Sequence, residues 1–253
     1  MSNNTALLEF VVRHGDNNLV LGHRISELCS WGPFLEEDIA LTNIALDHVG
    51  AARLLLSYAA ELEGNGKTED SYAYERANEQ FTNALLLELP NGDFADVNAR
   101  QLYYSSFAFV VYSELKNSKD TTLSAFANKA IKETIYHMRH CSEWVIRLGD
   151  GTDESKSRMQ NAINTLWPYT NDLFATTEND KLLIKDGIVP DIIALKTKWS
   201  ALVSDVITRA TLTMPDANAF QHEGSRVGKH TEHISYIVGE MQAVTRVYPG
   251  VKW

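Results

Sequence analysis

The stretch KAIKETIYHMRH, Lys129 to His140, puts one glutamate and two histidines on what reads as a long helix. The helix extends to about 120–149. Leu123, Phe126, Ala130, Thr134, Cys141, Val145 and Leu148 recur along one stripe of it at helical spacing. His137 falls inside that stripe, one turn after Thr134. Glu133 and His140 fall on its flank. The spacing predicts that Thr134 and His137 point into a core, while Glu133 and His140 face its edge.

Outward from this stretch nearly every segment reads as helix. Runs rich in Ala, Leu, Glu and Lys favour helix, and Gly- and Pro-containing breakers separate them. Helices are expected near 17–31, 34–63, 71–89, 95–117, 120–149, 152–176, 191–212 and 229–247. No sustained period-2 alternation predicts a strand. Asp93 or Asp96 is a candidate N-cap, as is Thr152 or Asp153, and Pro168 should kink or end a helix after Trp167. On helix 34–63, Leu35, Ile39, Leu46 and Val49 make one apolar face; Ala40, Ile44, Ala51, Leu55 and Tyr58 make a second, nearly opposite one. A helix apolar on two sides predicts neighbours on both. Long helices with short turns predict an all-α fold, a four-helix-bundle core with additional peripheral helices.

The chain has 253 residues, 44% hydrophobic and 22% charged, ordinary for a soluble globular protein. With Asp+Glu 33 against Lys+Arg 23 and a formal net charge of −10, it is a poor candidate for nucleic acid, which needs clustered cations. The start, MSNNTALLEFVVRHGDNN, lacks a basic region followed by a sustained apolar one. Apolar runs such as Phe107–Tyr112 fall short of a membrane span, so a cytoplasmic protein with no membrane partner is expected. Cys29 and Cys141 fit reduced thiols. No nucleophile elbow, P-loop or dinucleotide fingerprint is present.

A helical bundle is where carboxylate-bridged di-iron sites are built, from a Glu on each of two helices and a Glu-x-x-His on each of the other two. Four carboxylates offset the charge of two iron ions. Here the pattern fails. Three residues before His137 stands Thr134, which supplies no negative charge. In LDHVGAAR, the residues three beyond Asp47 and His48 are Gly50 and Ala51, which bind no metal through a side chain. His230 and His233, with Glu240, could form a zinc pair plus carboxylate; helix capping, packing or a subunit contact is the reading preferred, since a bare H-x-x-H is a weak signal. His222, Glu223, Arg226 and Lys229 could meet an anionic group, or form a solvated loop.

The segments LVLGHRISELCSW, LEEDIALTNIALDHVGAARLLLSYAAELEG, NEQFTNALLLELPNGDFADVNARQ, KAIKETIYHMRH, LGDGTDESKSRMQNAINTLW and GKHTEHISYIVGEMQAVTRVYPG together resemble the C subunits of bacterial ring-1,2-phenylacetyl-CoA epoxidases. The likeness covers almost the whole chain, in order and spacing. It implies a single ferritin-like helical domain over 1–253. It implies a structural subunit, non-catalytic by itself, in a phenylacetyl-CoA ring-epoxidising monooxygenase of phenylacetate catabolism. Its partner would be a catalytic A subunit of similar fold that holds the di-iron centre, with hetero-oligomer formation and self-association. This chain would bind no cofactor. Set beside the catalytic sister, the degenerate di-iron positions fall on His48 and Ala51 (or Asp47 and Gly50), Ser105, Thr134 and His137, with a remaining one near His23 to Glu27. The rival readings are an active di-iron oxygenase and a stand-alone helical acyl-CoA-binding protein.

Overall fold

A computed structural model describes residues 3–251 of the chain. Among the described residues the regular structure is helical throughout: α1 (Asn3–Ser26), α2 (Leu35–Glu63), α3 (Glu69–Tyr74), α4 (Phe94–Leu115), α5 (Thr121–Gly149), α6 (Asp153–Leu166), α7 (Glu178–Asp186), α8 (Ile192–Arg209), α9 (Ile234–Met241) and α10 (Ala243–Val247). Contacts gather into two compact units. One is Met1–Pro90 with Gly224–Trp253; the other is Asn91–Glu223.

In the first unit α1 and α2 form an antiparallel pair. Asn4 donates to the Leu62 carbonyl at 3.0 Å at one end, and Asn18 meets His48 at 2.9 Å further along. The helices approach closely because a glycine lies at the contact. A Cβ on Gly15 would sit 2.6 Å from Leu56 Cδ2. The first helix is longer than the expected 17–31. Its polar run Gly15–Asn18 resembles a turn in sequence, but here those side chains are buried and bonded inward. Asp16 accepts from Arg76 and from the Thr82 amide at 2.9 Å, and Asn17 accepts from the Ala84 amide at 2.8 Å. These bonds also explain why the helix expected over 71–89 stops at Tyr74. The amides of Thr82 and Ala84 take side-chain acceptors on α1 in place of helical carbonyls. The Arg76 guanidinium lies 4.1 Å from the Phe81 ring centroid. The expected 229–247 helix is likewise split. Residues 230 and 231 are held by Glu88, and Gln242, between α9 and α10, donates to the Arg76 carbonyl at 2.8 Å.

Only one of the two apolar faces expected to be covered on α2 is covered. Ile44, Ala51 and Leu55 are buried. Leu35, Ile39, Leu46 and Val49 are 69%, 52%, 63% and 39% exposed. Among the described residues, α2 has a covering neighbour on one side and not on the other. Among the described residues α2 alone is long and apolar enough to cross a membrane. Its inner face bears a buried histidine bonded to α1, the pattern of a core helix.

In the second unit α4 and α5 run antiparallel, with Tyr112 edge-on to Phe126 at 5.3 Å and Phe94 edge-on to Trp144 at 5.0 Å. Asp93 caps α4, accepting from Ala95 at 2.7 Å and Asp96 at 3.2 Å while Asp96 answers to the Asp93 amide. Asp120 caps α5 and Thr152 caps α6. Pro168 acts as expected: α6 ends at Leu166, and a 3-10 turn spans Trp167–Tyr169. The short helix α7 is an addition to the expected set. Thr177 and Asp180 box its N-terminus, and Gly187 ends it in the left-handed region at φ 72°. The core around α8 is aromatic: Trp199 stacks on Trp167 at 5.9 Å and donates to the Tyr103 carbonyl at 2.9 Å.

Candidate site at the inward positions of the two helix pairs

The five positions that the resemblance would make degenerate ligand positions are all buried: His48 and Ala51 on α2, Ser105 on α4, Thr134 and His137 on α5. Glu133 and His140 lie at the half-buried edge, as the stripe on α5 predicts.

In the α1–α2 pair, His48 Nδ1 faces Asn18 Oδ1 at 2.9 Å, so Nδ1 carries the proton and donates. Asn18 in turn donates to the His14 carbonyl at 2.8 Å, which fixes its orientation. Gly50 has open space where a Cβ would point. The residue of α1 that meets His48 is thus Asn18. The stretch His23 to Glu27 lies at the far end of that helix. Arg24 there donates to the Glu88 carbonyl at 3.0 and 2.7 Å and to Glu27 at 2.8 Å, and burial lowers the pKa of His23 against the raising pull of Glu240. Sequence reasoning missed the buried polar band of α1, including Arg13, His14, Asp16 and Asn17. Arg13 lies 5.2 Å from the Phe10 ring centroid, a buried guanidinium on a helix that a metal centre would ask for a carboxylate.

In the α4–α5 pair, the Thr134 hydroxyl donates to the Ala130 carbonyl at 2.8 Å, so it is used within its own helix. Cys141 donates to the Met138 carbonyl at 3.3 Å, and burial pushes its thiol up to about 12. Such a group is a packed thiol and not a nucleophile. Gln101, also buried on α4, carries no sequence signal, and its amide finds no hydrogen-bond partner among the described residues.

Whether these residues fit a di-iron pair is a question of charge. The five positions hold two imidazoles, two hydroxyls and a methyl, and no carboxylate. Among the described residues no three His, Cys, Asp or Glu side chains converge as a metal site would need. Two buried carboxylates of the first unit are committed elsewhere: Asp16 to Arg76 and Thr82, Glu88 to His230 and Thr231. The residues present do not fit the group.

The other sequence candidates are placed as follows. His230 has both ring nitrogens engaged, Nδ1 with Glu88 at 2.6 Å and Nε2 with the Phe81 carbonyl at 3.0 Å, so it has no lone pair to offer zinc. His233 is half-buried at the start of α9, and Glu240 is exposed. Arg226 donates to the Thr82 carbonyl, whereas Lys229 is exposed. His222 stacks on Tyr169 at 4.3 Å, and Glu223 accepts from Asn171 at 2.7 Å. These contacts give Arg226, His222 and Glu223 structural partners and leave Lys229 at the surface.

Fold and inward residues together define a class: an all-α protein with helices of metal-bundle length and without the ligand set. The chain belongs to the phenylacetic acid catabolic protein family, whose profile matches residues 1–253. It is 46% identical over 247 residues to the C subunit of 1,2-phenylacetyl-CoA epoxidase from Escherichia coli (strain K12), an alignment that covers 98% of this chain and 99% of that protein. The resemblance read from the sequence is therefore real and spans the whole chain.

Proposed function

We propose that this chain is the non-catalytic structural component of a multicomponent monooxygenase that epoxidises the ring of phenylacetyl-CoA in the cytoplasm. In this reading its helix pairs close into one ferritin-like bundle over 1–253. It binds no cofactor itself and holds in place a catalytic sister chain that carries the di-iron centre. What supports the reading is that the five buried positions hold no carboxylate, in a chain similar over its length to the C subunit of an epoxidase. Retention of the long helices without the ligands is what a scaffold needs and an oxygenase cannot use.

The test is co-expression with the di-iron chain of the same epoxidase, followed by particle mass, iron content and an epoxidation assay. A stable complex whose iron is accounted for by the partner, and whose activity disappears when this chain is left out, is expected. Near-stoichiometric iron in this chain alone would favour an active oxygenase. Saturable binding of phenylacetyl-CoA to the isolated chain, with no affinity for the partner, would favour an acyl-CoA-binding protein. Either result overturns the reading.

A further inference from the structure

Gln101 and Ser105 stand one turn apart on the same face of α4. Both are buried, at 2% and 1% exposure. Among the described residues neither Oε1 nor Nε2 of Gln101 meets a hydrogen-bond partner, and neither does Ser105 Oγ. Turning the amide over exchanges its oxygen for its nitrogen and cures nothing, since both ends are unmet. Buried polar groups are almost always bonded, to protein or to ordered water, and an amide with neither end bonded is costly. The Cys141 thiol of α5 lies near Ser105. The Ser105 hydroxyl draws the thiol's pKa down, although burial outweighs that pull. The thiol already donates to the Met138 carbonyl at 3.3 Å, and sulfur is a weak acceptor, so it answers little of what α4 presents.

Charge and spacing limit what these groups can hold. The amide and hydroxyl are neutral, and burial keeps the thiol protonated, its pKa pushed up to about 12. A metal ion or an anion therefore finds no opposite charge here. An apolar molecule would leave the amide as unmet as before. The ligand has to donate and accept at once, and to fit between side chains whose Cβ atoms lie about 5–6 Å apart. Water meets both demands. Ser105 and Cys141 are small, which leaves width beside the longer glutamine. We propose that the seam between α4 and α5 contains a binding site for ordered internal water, held by the Gln101 amide and the Ser105 hydroxyl. Water donates to Gln101 Oε1, accepts from Nε2 and completes the bonding of Ser105 Oγ. One of the five inward positions is thereby polar and hydrated without carrying charge. The inference stands on one helix pair and holds whether or not the chain is a scaffold.

The experiment uses the full chain. Its crystal structure at high resolution is expected to show water at about 2.7–3.2 Å from the Gln101 amide and from Ser105 Oγ. Deuteron magnetic relaxation dispersion counts long-lived internal waters in solution. The count should fall by at least one in Gln101→Met, which keeps the length of the side chain and removes its polar atoms. Ser105→Ala is the milder variant and should also lower the count or shorten the residence time. Melting separates a wet site from a dry one. If the amide is bonded to water, Gln101→Met melts at or below the wild-type temperature. If it is buried dry, the same change removes an unmet polar group and raises the melting temperature by about 2–4 °C or more. That rise, a crystal structure with no water at the amide, or a count unchanged in both variants would each overturn the proposal. An inactive co-expressed complex whose α4–α5 seam is hydrated would sink the functional reading and leave this one standing.

Discussion

At the scale of single residues, a buried polar cluster in the first unit gathers around Glu88. Its carboxylate is fully buried and accepts from His230 Nδ1 at 2.6 Å, from the Thr231 amide at 2.8 Å and hydroxyl at 2.7 Å, and from Asn83 at 3.0 Å. Because His230 presents its other nitrogen to the Phe81 carbonyl, both nitrogens must donate and the ring is an imidazolium. Burial works against that charge; the hydrogen bond and charge of Glu88, the Phe81 carbonyl and Asp16 outweigh it, so the pKa of His230 is raised. A histidine whose pKa is higher folded than unfolded adds stability that is complete below its unfolded value of about 6.5. That stability is lost as pH rises through the folded value. Denaturation midpoints measured between about pH 6 and 9 should therefore fall for the wild type. Glu88→Gln should lower stability by about 3 kcal/mol at the acid end, since it leaves a buried imidazolium unpaired, and should flatten the pH slope. An unaltered slope in that variant would show that another group sets it. His230 is a residue for which a sequence reading in terms of zinc is natural. Its true partner lies 142 positions away and no local pattern points to it.

At the scale of elements, close packing is the sharpest constraint. Gly149 ends α5 where a Cβ would lie 2.3 Å from the Ala210 carbonyl oxygen, just after α8. The oxygen is a backbone atom and the backbone fixes where a Cβ stands, so no rotamer change relieves the clash. Gly149→Ala should destabilise by about 1–3 kcal/mol, as overpacking does, although alanine is the better helix former; a thermal melt with an unchanged midpoint would refute this. Elements built on apolar periodicity and local caps are readable from sequence. The ranges 34–63, 95–117 and 120–149 differ from α2, α4 and α5 by a residue or two at their ends. The failures share a physical cause. The expected helix begins at 17 because the polar run Asp16–Asn18 reads as a break, whereas these side chains occupy inward positions in the middle of α1. The expected 71–89 helix is lost because those same side chains take its amides. Helix α7 does leave a local signal, Thr177 three residues before Asp180, a capping pair that composition alone does not weigh. The site shows the same division. The inward turn of Thr134 and His137 follows from spacing on one helix, whereas the pairing of His48 with Asn18 depends on how two helices meet.

At the scale of the whole molecule, the question is whether the interior depends on a metal for its stability. A ligand that binds only the folded chain stabilises it by about 2.7 kcal/mol at one hundred times its dissociation constant. For a chain of this length each kcal/mol moves the melting temperature by about 2–4 °C. A chain that relied on a di-iron pair should thus melt about 5–10 °C lower after iron is stripped. The five inward positions offer no anion, and Asp16 and Glu88 are already neutralised by Arg76 and His230. The prediction is that exhaustive treatment with a ferrous and ferric chelator leaves the melting curve where it was, and that added iron does not raise it. Thr134→Glu sharpens the comparison. A carboxylate placed on the buried stripe without a cation has to be desolvated, so that variant should melt below the wild type. One carboxylate on α5 is far from the four a bridged pair requires, and the Asn18–His48 bond still occupies the other helix pair, so iron should not rescue it. Recovery of the lost degrees on adding iron, with iron retained through gel filtration, would mean that the folded interior already holds the rest of a ligand set. A drop in the wild-type melting temperature on chelation would mean the same without any mutation.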